Sequence, residues 1–273
     1  MCNVIWDAPR RGPDGGGKTS VPQGFRQAEI LDIAARDGKV TVDGLAEHFS
    51  VTLQTIRRDL SELDQAGLLK RVHGGAMPAF GSRNFAYEDR RALQTEAKDQ
   101  IARACAAAIP DACSIFLNIG TSTEAVAERL TQHENLLVVT NNLNVAHILS
   151  QSPGVEIFVT GGTLRRADNG LIGSLAVDTI NKFKFDYAVI GCSALDQDGE
   201  VLDFDVQEVG VSQAIVARSR KTFLVADHSK FERSAPARIC SLAQIDGFFT
   251  DRALQPDLAA KCAEWGVDVH LGA

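Results

Sequence analysis

From about Lys98 onward, short runs of β-branched and aromatic residues alternate with helical periods, as in SIFLNIG, LLVVTNN, VEIFVTGG, FDYAVIG and KTFLVAD. Parallel strands need long crossover connections, so this alternation predicts an α/β unit built on a parallel sheet. Residues 25–76 carry short helical periods and then a hairpin-like segment instead. The 273-residue chain therefore divides into a Gly- and Pro-rich leader, 1–24; a small domain, 25–76; a linker, 77–95, whose second half can form a short helix; and a larger domain, 96–273.

Charge narrows the function. The chain carries 28 Lys and Arg against 35 Asp and Glu, so it cannot hold nucleic acid by bulk charge, and any such contact must be local. The leader contains no apolar run of the length of a signal peptide or membrane anchor, which predicts a cytoplasmic protein with no membrane partner. The 6 cysteines are scattered, with no Cys-x-x-Cys and no Cys/His spacing suited to zinc; the histidines show no ligand spacing either, and neither a metal nor a cofactor is expected.

In the small domain, FRQAEILDIAARDG reads as a helix with Ile30, Leu31, Ile33 and Ala34 on its apolar face, ended by Gly38. A brief extended piece, 39–41, precedes a second helix, VDGLAEHFSV, with Asp43 near its start as a capping residue. A third helix begins at Thr52 as N-cap and ends before Gly67. At about 100° per residue, Ile56, Leu60 and Leu63 share a narrow stripe, while Gln54, Thr55, Arg58 and Ser61 face away from it and Arg57 and Asp59 flank it. An amide, hydroxyls and arginines at the outward N-terminal half of such a helix suit base edges and phosphates of double-stranded DNA. LLKRVHGGA then reads as a two-stranded wing whose Lys70, Arg71 and His73 make a local positive field. The bland alternative, arginines solvating a helix face and pairing with Asp59 or Glu62, does not account for the basic wing.

The run TVDGLAEHFSVTLQTIRRDLSELDQAGLLKRVHGGA resembles, almost throughout, the winged helix-turn-helix signature of the DeoR family of bacterial repressors. The resemblance implies operator DNA as partner. Because one small module covers about one half-site, a homo-oligomer, dimer or tetramer, is expected.

In the larger domain, a strand over 114–119 runs into Gly120-Thr121-Ser122-Thr123 and a helix opening near Glu124. Glycine lets the backbone approach, hydroxyls donate, and the helix N-terminus supplies free N–H groups, so a phosphate is the expected ligand. LLVVTNN and VEIFVTGG repeat the layout, which predicts that Thr140, Asn141, Asn142, Gly161 and Gly162 share a sheet edge, and a pocket, with that turn. LDFDVQEV brings Asp203, Asp205 and Glu208 to a helix start, and ADHSKF places Asp227 at a strand end with Lys230 three residues on, where it can neutralise a phosphate.

The order GTST, TNN, GG, LDFDVQEV and ADHSKF looks like the sugar-phosphate sensor domain of the same family, which is related in fold to ribose-5-phosphate isomerase. NNLNVAHIL, LDFDVQEV and ADHSKF look most like its glycerol-metabolism branch, which implies a small phosphorylated metabolite, sn-glycerol 3-phosphate, as effector. The chain departs from that branch after Glu208, where Val209-Gly210-Val211-Ser212-Gln213 stands in place of a basic stretch.

Two other classes fit the residues less well. An isomerase with an appended DNA-binding arm would use Asp205, Glu208 or Asp227 as base and Lys230 as electrophile, whereas a regulator needs only binding. A metal-dependent redox sensor would need a ligand set that the cysteines do not form.

Overall fold

The computed structural model describes residues 26, 27, 29–31, 33, 34, 40–65, 68–72, 74–78, 87–92 and 94–272. The leader, Gly38, Gly67 and His73 therefore lie outside the described residues. The chain forms two compact units, residues 1–79 and 80–273.

The N-terminal unit packs helical residues around Ile30 and Ala34, helix Val42–Phe49 and helix Leu53–Gln65 against three short strands, β1 (Val40–Thr41), β2 (Leu69–Val72) and β3 (Gly75–Pro78). Its core gathers Ile30, Val42, Leu45, Phe49, Ile56, Leu60, Leu63 and Leu69, so the calculated stripe of the third helix does face inward. The cap of the second helix differs from expectation. Thr41, not Asp43, accepts the Gly44 N–H, at 3.1 Å, because the helix begins at Val42 and leaves Asp43 one position too far in. Asp43 instead puts a carboxylate in the first turn, where the helix dipole favours it.

The wing is an antiparallel pair, β2 and β3, to which β1 adds a third strand in the order β1-β3-β2. Gly75 permits this, since a Cβ there would lie 1.9 Å from the Val40 carbonyl oxygen. Gly75→Ala should part β1 from β3 at a cost of about 1 to 3 kcal/mol. Thermal unfolding of the N-terminal unit checks this, and an unchanged transition would contradict it.

In the C-terminal unit seven parallel strands form one sheet, ordered β15-β14-β12-β9-β4-β5-β6: β4 (Ser114–Leu117), β5 (Leu136–Thr140), β6 (Val155–Val159), β9 (Phe185–Ile190), β12 (Ser219–Val225), β14 (Gly247–Thr250) and β15 (Asp268–Leu271). Side-chain alternation divides the core into two layers. Ile115, Leu117, Val138 and Phe249 pack with helices Thr95–Ala107, Thr121–Leu130 and Leu143–Leu149; Phe116, Ala188, Leu224 and Phe248 pack with helices Ser174–Ile180, Val206–Ala217 and Pro256–Trp265. The remaining strands make a hairpin, β7 (Thr163–Arg165) with β8 (Gly170–Ile172), and a small antiparallel sheet of β10 (Ala194–Leu195), β11 (Glu200–Asp203) and β13 (Ala237–Ser241).

Two strand expectations change. The run that begins FDYAVIG continues through CSAL and reads in sequence as one strand, but it is two: β9 ends at Ile190, residues 191–193 turn away, and β10 joins the second sheet. The first strand stops at Leu117 and its helix opens at Thr121, three residues before Glu124.

The strand order locates the binding edge. Counted along the chain, the strands of the large sheet run 3-2-1-4-5-6-7, so the winding reverses between β4 and β9. In open parallel sheets the crevice at the carboxyl ends of the two strands flanking that reversal is where ligands bind.

Candidate functional site: a DNA-reading face and an anion cavity

On the N-terminal unit, the exposed side of helix Leu53–Gln65 presents Gln54, Arg57 and Arg58, with Thr55 partly exposed. Thr52 caps the helix, its hydroxyl accepting the Thr55 N–H at 3.2 Å and lying 2.9 Å from the Thr55 hydroxyl. Arg58 Nε donates to Glu62 Oε1 at 3.0 Å, but the guanidinium remains 77% exposed. Such a surface pair contributes only about 0.3 to 0.5 kcal/mol and yields readily to a base edge or phosphate. On the wing, Lys70 is exposed, and Arg71 is tied to the third helix through Ser61 Oγ, 3.3 Å, and Asp64, 3.0 Å.

Arg26 and Asp59 are the residues of this face that sequence reasoning missed as a pair. Arg26 donates from Nε and Nη2 to the two Asp59 oxygens at 2.5 and 3.1 Å, with Asp59 1% exposed. With Thr52, Gln54, Thr55 and Arg58 they line one concavity at the N-terminal end of the third helix.

On the C-terminal unit, a cavity sits at the reversal point. Residues 119–122 enter it from the end of β4, residues 191–193 from the end of β9, and Arg90, Asp203, Glu208 and Lys230 complete it. It encloses about 30 Å³, room for about one water. The short helix Tyr87–Ala92 contributes Arg90 to it, and contributes Tyr87 and Arg91 to a second cavity, of about 720 Å³, lined also by Lys98, Thr121, Glu124 and Asn144, among others.

The cavity is strongly charged. Arg165, at the end of β7, donates to both Asp168 oxygens at 2.9 and 2.7 Å, to Asp205 at 2.8 Å and to Glu208 at 2.5 Å. Burial pushes the Glu208 carboxyl up to about 7, with Asp203 adding to the rise and Arg165 opposing it. Opposite stand the cations. Burial lowers the Lys98 pKa to about 8, and Lys230, Arg233 and Arg90 repel its charge while Asp227 offsets part of that. Lys230 is lowered by burial and then by Arg233. Lys98, Lys230 and Arg233 are all lowered, by burial first, and together with the Arg90 guanidinium they make an environment that an anion relieves.

The structure brings together Gly120, Thr121, Ser122, Glu208 and Lys230 as lining residues. Asp205 caps helix Val206–Ala217 through the Gln207 N–H at 2.9 Å and meets Glu208 at Arg165. Asp227, 2% exposed, holds the turn carrying Lys230 by accepting from Ser229 N at 3.0 Å and Oγ at 2.5 Å. Thr123 turns inward, its hydroxyl donating to Asn118 and Gly120 carbonyls at 2.7 Å.

Thr140, Asn141, Asn142, Gly161 and Gly162 share the same sheet edge without lining this cavity. Thr140 Oγ1 donates to the Leu117 carbonyl at 2.7 Å, Asn141 Nδ2 to the Leu171 carbonyl at 3.2 Å, and Asn142 Nδ2 to Glu124 at 3.0 Å. Gly161 lies against Leu175, and Gly162 against the Ile172 carbonyl. The reason is topological: β5 and β6 lie on one side of the reversal, and the crevice opens between β4 and β9.

Arg90, Lys98, Arg165 and Arg233 escaped sequence reasoning. Lys98 left a signal, since it stands at i, i+3, i+4, i+7 spacing with Ile101, Ala102 and Cys105, on the buried stripe of its helix. Among the described residues, no group of three His, Cys, Asp or Glu side chains is placed to hold a metal, and no helix is long and apolar enough to cross a membrane.

A winged helix-turn-helix unit joined to an α/β unit with a charged crevice at its sheet edge defines a class: the ligand-responsive transcriptional regulator. The DeoR-like helix-turn-helix domain matches residues 26–79, and the DeoR C-terminal sensor domain matches residues 93–252. The chain is 45% identical to the glycerol-3-phosphate regulon repressor of Escherichia coli (strain K12), over 83% of this chain and 90% of that protein. It is 40% identical to the HTH-type transcriptional repressor CsqR of the same strain, over 90% and 94%. The chain belongs to the DeoR family, and it is a DNA-binding transcriptional repressor rather than an enzyme. Ribose 5-phosphate isomerase from Plasmodium falciparum aligns with 49% of this chain and 52% of its own at 12% identity and a TM-score of 0.36, and the assignment does not rest on it.

Proposed function

We propose that the chain represses its target genes by binding operator DNA as an oligomer of at least two copies in the cytoplasm, and that a phosphorylated polyol, sn-glycerol 3-phosphate, releases it. The cavity at the β4/β9 reversal carries this reading: Gly120 and its hydroxyl-bearing neighbours open the ten-residue helix Thr121–Leu130 there, and Arg90 and Lys230 line it, with Lys98 bonded to the Arg90 carbonyl. The helix N-terminus and Lys230 take the phosphate, and Asp203, Glu208 and Ser193 are of the right chemistry for polyol hydroxyls. The 45% identity with a repressor named for glycerol 3-phosphate supports that choice of effector. Thermal-shift titration against phosphorylated polyols and sugars tests it, since a ligand of the native state stabilises by RT ln(1 + [L]/Kd). A shift with sn-glycerol 3-phosphate well above that with glycerol or inorganic phosphate is expected, and equal shifts would overturn the assignment.

In the same reading Thr52, Gln54, Thr55, Arg57 and Arg58 face the DNA, with Lys70 and the wing, His73 included, on the backbone. Arg58→Gln should cost about 1 to 3 kcal/mol of discrimination between operator and random DNA. Lys70→Gln should weaken both alike and reduce the salt slope by about one. Titrations at several salt concentrations separate the two, and identical effects would refute the division of labour.

A further inference from the structure

The wall that closes the anion cavity also leads the chain toward the DNA-binding unit. Helix Tyr87–Ala92 is the first described element after residue 79, and seven residues separate the N-terminal unit from Tyr87. With about 30 Å³ inside, no phosphorylated polyol fits unless a wall moves. Part of the lining is fixed at the ends of strands and in the helices packed on the large sheet: Ile119, Ser122, Ser193, Asp203 and Glu208 are all buried. Arg90 stands instead on a six-residue helix, and the hydrogen bonds that tie its described residues to the rest of the unit all involve a side chain.

Those bonds use groups that an anion would claim. The Arg90 carbonyl accepts from Thr121 Oγ1, in the glycine-rich turn, at 3.4 Å, and from Lys98 Nζ. The Arg90 side chain is underused: Nη2 donates to Asp168 at 3.2 Å, and the buried Nε has no acceptor among the described residues. Asp168 needs Arg90 little, since Arg165 already donates to both of its oxygens at 2.9 and 2.7 Å. A further attachment is Tyr87, whose hydroxyl donates to Glu124 at 2.7 Å and accepts from Asn144 at 3.0 Å.

We propose that Arg90 is an effector-binding residue and that the Tyr87–Ala92 helix is the moving part of the switch. An anion entering beside Thr121 takes the donors Thr121 Oγ1, Lys98 Nζ and Arg90 Nε. This dissolves both bonds to the Arg90 carbonyl and draws the guanidinium off Asp168. The helix, seven residues in sequence from the N-terminal unit, then shifts, and the small cavity opens toward the 720 Å³ cavity with which it shares Thr121. The inference rests on the effector reading above and adds to it the residue that couples ligand to DNA.

Full-length wild type, Arg90→Gln and Tyr87→Phe test it, with sn-glycerol 3-phosphate as probe and three readouts: thermal shift, the effector concentration for half-release of operator, and hydrogen exchange at residues 87–92. Arg90→Gln should bind the probe at least tenfold more weakly and show no probe-induced exchange change in the helix. Tyr87→Phe, with one attachment fewer, should release operator at several-fold lower probe concentration. These opposite shifts support the proposal, because merely weakening the helix would move both variants the same way. If wild type responds and Arg90→Gln responds equally, this inference alone falls. If wild type shows no thermal shift with the probe, the effector reading itself has failed.

Discussion

Replacing Lys98 with methionine should make the ligand-free protein more stable and deaf to its effector. A lysine whose pKa falls from 10.5 to about 8 carries its charge at pH 7 at a cost of about 3 kcal/mol to the folded state. Methionine suits the apolar stripe of Ile101, Ala102 and Cys105, and among the contacts of Lys98 it forfeits the charge-assisted Nζ bond to the Arg90 carbonyl, about 2 kcal/mol. A net gain of about 1 kcal/mol follows, or roughly 2 to 4 °C for a unit of this size. The pH dependence has a definite sign. The penalty is full below about pH 8, fades as the pH rises toward 10.5 and is gone above it, so wild type should gain stability over that window and the variant should not. Since the anion needs the protonated amine, effector affinity should fall as the pH rises through about 8. Calorimetry and effector titrations between pH 6.5 and 9.5 check both, and a destabilised variant that still binds effector as wild type does would contradict the account.

The second large effect belongs to the reader. Arg26→Met leaves the Asp59 carboxylate, 1% exposed, without its cation, and breaking a buried pair on one side costs about 3 kcal/mol or more. At roughly 0.1 kcal/mol per residue, a unit of some fifty residues has about 5 kcal/mol in all, so most of its margin goes. DNA affinity should drop for operator and random sequence together, unlike the selective loss from Arg58→Gln. Removing both charges, Arg26→Met with Asp59→Leu, should restore most of the stability, because a buried pair replaced by apolar residues is near neutral. Equal instability of the single and double variants would show that the ion pair is not what holds this face.

How far the sequence reaches depends on whether the deciding interactions are local. The third helix of the reader was visible because its stripe, its Thr52 cap and its basic wing lie within some twenty residues. So was the glycine-rich turn after β4, where strand, glycine, hydroxyls and helix start follow one another. The pairing of β4 with β9 was not: it joins residues 72 apart, as Ile115 with Tyr187, and only the strand order shows that the crevice lies there rather than beside β5 and β6. The same distance hid Arg165. Its partners Asp205 and Glu208 are 40 and 43 residues away, although an acidic triad with no cation in its own segment was a hint that one must come from elsewhere. Arg90 left no signal, because its role comes from the wall it forms and not from its neighbours in the chain.

The central claim is a coupling between the two units: occupation of the β4/β9 cavity lowers affinity for DNA. It is tested most directly by selecting an operator from random duplexes and measuring its Kd with and without saturating sn-glycerol 3-phosphate, then the effector Kd with and without operator. Linkage requires the two ratios to agree, and the account predicts that each is at least tenfold. An operator affinity untouched by bound effector would contradict it.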